Sequence, residues 1–228
     1  MSIPAPHIRS FHPRRGRVTA SQRDAIERLW PVYGIDVVSR RLDLAAVFDN
    51  DRPVVLEIGF GSGEATAEMA AADPATNLLA ADVHTPGFGQ LLGRVGALGL
   101  THVRVVSGDA VELLRDMLAP GSLAGIRIYF PDPWPKTGHH KRRLVRTEFA
   151  ALAASRLRSG GTMHLATDWL PYAQVMREVL AGEPALSKEF DGQATAQVQR
   201  PWNRPVTRYE RAGLAKGHQV VDLVYRRS

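Results

Sequence analysis

Through the middle of the chain, short runs of branched apolar residues alternate with longer, helix-like stretches. Uninterrupted apolar runs of this length are strands buried on both faces, and their alternation with helices is the signature of a parallel sheet with crossover helices. The strand segments are 53–60 (PVVLEIGF), 77–83 (NLLAADV), 102–109 (HVRVVSGD), 125–132 (GIRIYFPD) and 161–168 (GTMHLATD). Helices are expected over 63–72, 86–99, 110–118, 142–158 and 169–181, with Pro74, Pro120–Gly121 and Gly160–Gly161 marking junctions. Residues 26–48 read as a helix interrupted by Pro31 and Gly34. The pattern weakens after 182 until 218–227 (HQVVDLVYRR), whose β-branched content predicts a last strand, antiparallel to the rest. The fold class is therefore doubly wound α/β, Rossmann-like. Residues 1–25 form a basic N-terminal arm and 26–228 a single domain, with no internal repeat.

Each central strand carries an acid at the same end: Glu57, Asp82, Asp109, Asp132 and Asp168. In an open α/β sheet ligands sit outside the carboxyl ends of the strands, so these five acids frame a site, although any one of them taken singly reads as a loop acid or helix cap. Gly59, Gly61 and Gly63 occupy the turn after the first strand, where a chain without Cβ atoms can approach a ligand closely. A dinucleotide fingerprint would place its third glycine at 64, which is Glu64 here. Glutamate followed by G-x-G-x-G instead resembles motif I of class I S-adenosylmethionine (SAM) methyltransferases. That ligand lacks a pyrophosphate but has a sulfonium and an amino group that favour acids. Asp82, at the end of the second strand, is placed to accept both ribose hydroxyls. The resemblance puts the adenine contact at Asp109.

Charge sharpens this picture. The net charge is +6, but residues 1–52, 53–132 and 133–228 carry +3, −5 and +8. Basic flanks around an acidic centre suit a polyanion bound outside and a partly cationic ligand bound inside. The four lysines beside 25 arginines also fit a GC-rich coding sequence. With no cysteine there is no disulfide, thiolate metal site or cysteine nucleophile. No apolar run approaches the roughly 18 residues of a membrane span, and the N-terminus lacks a secretory h-region, so a cytoplasmic protein is expected.

Residues 130–144, FPDPWPKTGHHKRRL, set Asp132 between two prolines and follow it with Trp134, a third proline and a basic run. Prolines fix φ and hold the carboxylate, while tryptophan offers a stacking face for a base. The local alternative is a strand end with Trp134 in the core and Asp132 capping a turn. The stretch resembles the signature of the bacterial tRNA (guanine-N7)-methyltransferases, as do RSF with GRVT near the N-terminus, LEIGFGSGE, VHTPGFG, TDW with YA, and TRYERAGLAKGHQVVDL. The resemblance spans nearly the whole chain. It implies SAM contacts at Glu57, Gly59, Gly61, Asp82, Asp109 and Asp132, with Asp132 the catalytic carboxylate. It implies tRNA binding by Lys136, Asp168, Thr207, Arg208, Tyr209 and Glu210, and RNA contact by Gly138, His139, His140, Lys141, Arg142 and Arg143. The product implied is 7-methylguanosine at position 46 of the tRNA variable loop.

Thr137 and Gly138 depart from the usual basic pair, Ala212 from a common arginine, and Asp82 from the more usual glutamate. His139 and His140 lack the cysteine or spaced carboxylate of a metal site, so no metal is expected. Two rivals remain: an amino-group methyltransferase with an acid-Pro-Pro-aromatic loop, disfavoured because Trp134 stands at the second proline, and a non-catalytic RNA-binding subunit, disfavoured by the intact Glu57, Gly59, Gly61 and Asp132. A monomer and a homodimer are both compatible with the sequence.

Overall fold

The computed structural model describes residues 17–193 and 200–228. At its centre is one eight-stranded sheet built from β1 (Gly34–Asp36), β2 (Val54–Ile58), β3 (Asn77–Asp82), β4 (Val103–Ser107), β5 (Leu123–Tyr129), β6 (Leu157–Thr167), β7 (Leu186–Gln193) and β8 (Val221–Arg227). The strands lie in the order β1-β4-β3-β2-β5-β6-β8-β7. Pairings from β1 through β6 are parallel, and β8 alone runs against its neighbours β6 and β7. The order reverses between β2 and β5, which is where an open sheet of this kind leaves a crevice.

The helices are α1 (Ala20–Tyr33), α2 (Leu44–Phe48), α3 (Glu64–Ala72), α4 (Thr85–Leu98), α5 (Ala110–Glu112), α6 (Thr147–Arg156), α7 (Leu170–Ala181) and α8 (Arg208–Leu214). Strand alternation divides the core in two. Val55, Leu78, Ala80, Val103 and Val105 face Ala67 of α3 and Leu91, Leu92 and Val95 of α4. Leu56, Ile58, Leu79, Ala81 and Val106 face the other way, toward Leu113, Phe149, Ala153 and Met176. Side chains that alternate faces yet are apolar on both require helices on both sides, which is the physical reason for the doubly wound form.

Several boundaries differ from the sequence reading. Residues 1–16 of the expected arm lie outside the described residues, while 20–25 are the first turns of α1. Thr19 caps that helix by accepting from the Gln22 N–H at 3.2 Å, and the Gln22 side chain returns the bond to the Thr19 N–H at 2.9 Å. Pro31 falls in the last turn of α1 and does not end it; the helix ends at Gly34, where a Cβ would stand 2.2 Å from the Trp30 ring. Helix α6 begins at Thr147, not 142, because residues 137–142 form a 3-10 turn and Arg143 turns into the core. The stretch 110–118 opens as one α-helical turn and widens into a π-helical turn over Leu113–Met117. Strands β1 and β7 have no counterpart in the sequence reading. No helix among the described residues is long and apolar enough to cross a membrane.

Candidate active site

Because β4, β3, β2, β5 and β6 run parallel, their carboxyl ends form one rim, and the acids that follow them converge there. A cavity of about 300 Å³ opens at this rim, walled by Gly59 and Gly61 after β2, Asp82 at the end of β3, Asp109 after β4 and Asp132 after β5. Gly59 and Gly61 have φ of +82° and +58°, and a Cβ on either would meet nothing within 4 Å, so their backbone lies bare to the cavity.

Asp82 holds this turn in place. Its Oδ2 accepts from the Gly61 N–H at 2.9 Å, and its Oδ1 accepts from the Val83 and His84 N–H groups at 2.6 and 3.0 Å. Burial pushes its carboxyl above the usual range despite these three donors. Asp109 is the N-cap of α5, accepting from the Val111 N–H at 2.8 Å, so the local helix-capping reading and the rim position hold together for this residue.

Glu57 does not stand on the cavity wall. It lies one residue back, on the opposite face of β2 from Ile58, beside Arg127 of β5, with its Oε1 accepting from the Thr66 hydroxyl at 2.9 Å. Its Oε2 is buried without a hydrogen-bond partner. Desolvation pushes its carboxyl up to about 7, against the opposing pull of Arg127 and Thr66.

Asp132 is carried by a backbone that turns sharply on both sides. Phe130 and Trp134 have φ of +53° and +44°, a region costly for bulky side chains and sustained only where neighbours over-determine it. With Pro131 and Pro133 between them, the carboxylate sits on a segment that has few ways to relax. The Phe130 N–H donates to the Ala166 carbonyl at 2.8 Å, extending β5 to the acid. Trp134 is half-buried, with the Arg142 guanidinium 5.1 Å from its ring centroid and His139 edge-on at 5.8 Å.

The predicted RNA-facing residues divide. Lys136, Gly138 and Lys141 are exposed, and His139, His140 and Arg142 partly so. Arg143 departs from the expectation: it is 4% exposed, donates through Nε to the Pro133 carbonyl at 2.8 Å, and lies 4.8 Å from the Tyr172 ring centroid. It braces the Asp132 segment from behind. Asp168 stands at the same rim, with its Oδ2 2.8 Å from His218 Nδ1 and its Oδ1 accepting from the Tyr209 hydroxyl at 3.5 Å. Arg208 and Tyr209 are exposed. Glu210 also departs from the expectation: it is 1% exposed, ion-paired to Arg204 and Arg200, and closes a capping box with Thr207. Its carboxylate faces the interior, where Arg204 and Arg200 hold it.

A family model described as "Putative methyltransferase" matches residues 51–223. A tRNA (guanine-N(7)-)-methyltransferase from Streptomyces coelicolor is 61% identical over 221 residues, covering 96% of this chain and 81% of that protein. One of the same description from Bordetella pertussis is 50% identical, covering 98% and 87%. The chain belongs to the tRNA (guanine-N7)-methyltransferase family. Solved structures agree on the fold alone. A 16S rRNA (adenine(1408)-N(1))-methyltransferase from Catenulisporales acidiphilia, determined with SAM, superposes with a TM-score of 0.57 at 12% identity, covering 80% of this chain and 89% of that one. An rRNA methylase from Streptococcus thermophilus gives 0.53 at 14%, covering 93% and 99%.

Within this family the cavity's lining suits the methyl donor: acids for ribose hydroxyls and a cationic centre, and bare glycine backbone, with the buried Glu57 carboxylate set behind that turn. Sequence reasoning missed His84 and Leu144 on the cavity wall, the His218 partner of Asp168, and the whole ion network around Arg204. Only Thr207-x-x-Glu210 carried a local signal for that network, as a capping box.

Proposed function

We propose that this protein transfers the methyl group of SAM to N7 of a guanine in tRNA, at position 46 of the variable loop. The observation that carries the reading is the convergence of Asp82, Asp109 and Asp132 on one cavity at the switch of the strand order, in a chain of this family. Bound there, SAM supplies a sulfonium-activated methyl group. Gly59, Gly61, Asp82 and Asp109 would hold it, with Asp82 on the ribose, while Glu57, buried behind the glycine turn, would favour its positive charge from a distance.

Guanine N7 has a lone pair and no proton, so the first demand on the protein is alignment, which can lower a barrier by about 7–11 kcal/mol in favourable systems. Alkylation leaves the purine cationic. Asp132 accepts from N1–H or the exocyclic amine, orienting the base and stabilising the charge as it grows. The N1 proton becomes more acidic at the same moment, and the same carboxylate could take it as a general base. Exposed Lys136 and Lys141 and the partly exposed Arg142 track the phosphates, with Asp168, Thr207, Arg208 and Tyr209 at the substrate side of the rim.

The direct test is incubation of unmodified tRNA with labelled SAM, followed by nucleoside analysis. The expected product is 7-methylguanosine, absent when guanine 46 is replaced by adenine; a different methylated nucleoside overturns the assignment. Lys136→Ala should weaken tRNA binding and reduce the slope of log K against log salt by about 0.7–1, because one phosphate contact is lost. Buried Arg143→Ala should leave that slope unchanged and lower thermal stability instead. Fluorescence titration at several salt concentrations separates the two, and equal slopes for Lys136→Ala and wild type would remove Lys136 from the phosphate track.

A further inference from the structure

Arg204 belongs to no motif, yet it ties together α8, β8 and the end of β5, three elements at the substrate side of the site. Its side chain is completely buried. Nε and Nη2 donate to the two carboxylate oxygens of Asp222 on β8 at 2.8 and 2.9 Å, and Nη1 donates to Glu210 Oε2 on α8 at 2.6 Å. The guanidinium lies 5.4 Å from the Tyr129 ring centroid and 5.6 Å from that of Phe130, the residues that end β5 just before Asp132. Asp222 Oδ1 is also 2.7 Å from His164 Nε2, whose Nδ1 is 3.0 Å from the Tyr129 hydroxyl. Arg200 donates to Glu210 Oε1 at 3.1 Å, so two arginines meet two carboxylates. The Phe130 ring is in turn 5.3 Å from that of Tyr209.

We infer that Arg204 is a positioning residue for methyl transfer: by clamping Glu210 and Asp222 while lying against the Tyr129 and Phe130 rings, it fixes Asp132 and the Thr207–Tyr209 segment in one relation. The inference rests on the function proposed above. Two features separate it from simple stabilisation. A buried ion network of this kind is often no more stable than apolar residues of similar volume, so the cohesion of the fold does not by itself require it. Phe130 holds φ of +53° two residues before Asp132, and a strained backbone persists only where its surroundings over-determine it. The Arg204 face on one side and the Tyr209 ring beside it supply that constraint. A planar fork that binds two carboxylates in fixed directions sets geometry in a way that an ammonium does not.

The test is a charge-free set of near-isosteres, Arg204→Met with Glu210→Gln and Asp222→Asn in one protein, which leaves no buried charge unpaired among the three. The expected result is a cooperatively folded protein whose Kd for SAM stays within about twofold of wild type, while kcat on tRNA falls about 10²-fold, the scale of an ångström-level misplacement of a catalytic group. KM for tRNA rises alongside, because α8 is no longer held. A folded triple variant with wild-type kcat and KM overturns the inference. If that protein does not fold, Arg204→Lys carries the test: it keeps a cation between the carboxylates and loses the fork, and the same loss of kcat at unchanged SAM affinity is expected, with wild-type kcat overturning the idea. Wild-type protein assayed in parallel distinguishes the failures. If it makes no 7-methylguanosine, the proposed function fails; if it does and the variants match it, only the role of Arg204 fails.

Discussion

Asp132→Asn should lower the single-turnover rate of methyl transfer by about 10²–10⁴-fold, with the dissociation constants for SAM and tRNA staying within about threefold of wild type. Asparagine keeps the shape of the side chain, so Pro131, Pro133 and the left-handed Phe130 and Trp134 stay as they are. What changes is charge. A neutral amide gives less stabilisation to a purine becoming cationic, and its NH₂ group, if turned toward N1–H, opposes one donor with another. In the function proposed above, binding rests mainly on contacts elsewhere, namely the glycine turn and Asp82 for SAM and the basic 3-10 turn for phosphates. The loss therefore falls on the chemical step. Asp132→Ala should be at least as slow, and the comparison is informative: if the asparagine variant kept most activity and alanine lost it, the group would orient the base without acting through its charge. Rates near wild type in both variants would take Asp132 out of the mechanism.

The parallel core was legible because its strands are buried on both faces and so appear as unbroken apolar runs; β2 through β6 needed no tertiary information to be found. Strand β7 was not legible for the converse reason. Its sequence, LSKEFDGQ, buries Leu186 fully and the rest partly or not at all, since it closes the sheet at an edge and pairs only with β8. The start of α1 carried a signal that charge obscured: Thr19-x-x-Gln22 is a capping box, set within a stretch whose arginines read as an arm.

The rim of acids followed from topology, because parallel strands necessarily deliver their C-terminal residues to one edge. Which carboxylates reach the cavity was a finer matter. Asp82, Asp109 and Asp132 do; Glu57, one position short of the strand end, falls on the opposite face of β2 from Ile58 and is set behind the wall. A period of two decides that, and a one-residue difference in where a strand ends moves a side chain from site to interior. Motif resemblance also could not distinguish contact from support. In the stretch TRYE, Tyr209 is exposed at the rim while Glu210 is buried on Arg204, and in GHHKRR the last arginine is buried beneath the segment that the others flank. Arg204 itself binds residues that are distant in sequence or otherwise unremarkable, such as Asp222 in a strand, so its role exists only once the sheet has formed.

Glu57→Gln should change stability and ligand binding in opposite directions. Burial raises the Glu57 carboxyl to about 7, above the ordinary value near 4.5 that it has in the unfolded chain. Well below pH 4.5 both states are protonated and nothing is lost. As pH rises through 4.5 the unfolded state ionises first, so stability falls, and the fall is complete once the folded carboxyl has ionised above about 7. By pH 8 this single group costs the ligand-free wild type about 3 kcal/mol relative to acid pH, following the 1.36 kcal/mol carried by each unit of pKa difference. Glutamine does not titrate, so denaturant unfolding of the variant should show a pH dependence flatter by that amount. Affinity for SAM should move the other way. A cationic ligand settling on the adjacent Gly59–Gly61 turn favours the ionised carboxylate, whose Oε2 has no partner, so wild-type affinity should increase with pH through about 7, with proton release near neutrality. The variant should bind about tenfold more weakly at pH 8 and lose that pH dependence. Calorimetry in two buffers of different ionisation enthalpy reads both effects; equal, pH-independent affinity in variant and wild type would show that Glu57 serves the strand and not the ligand.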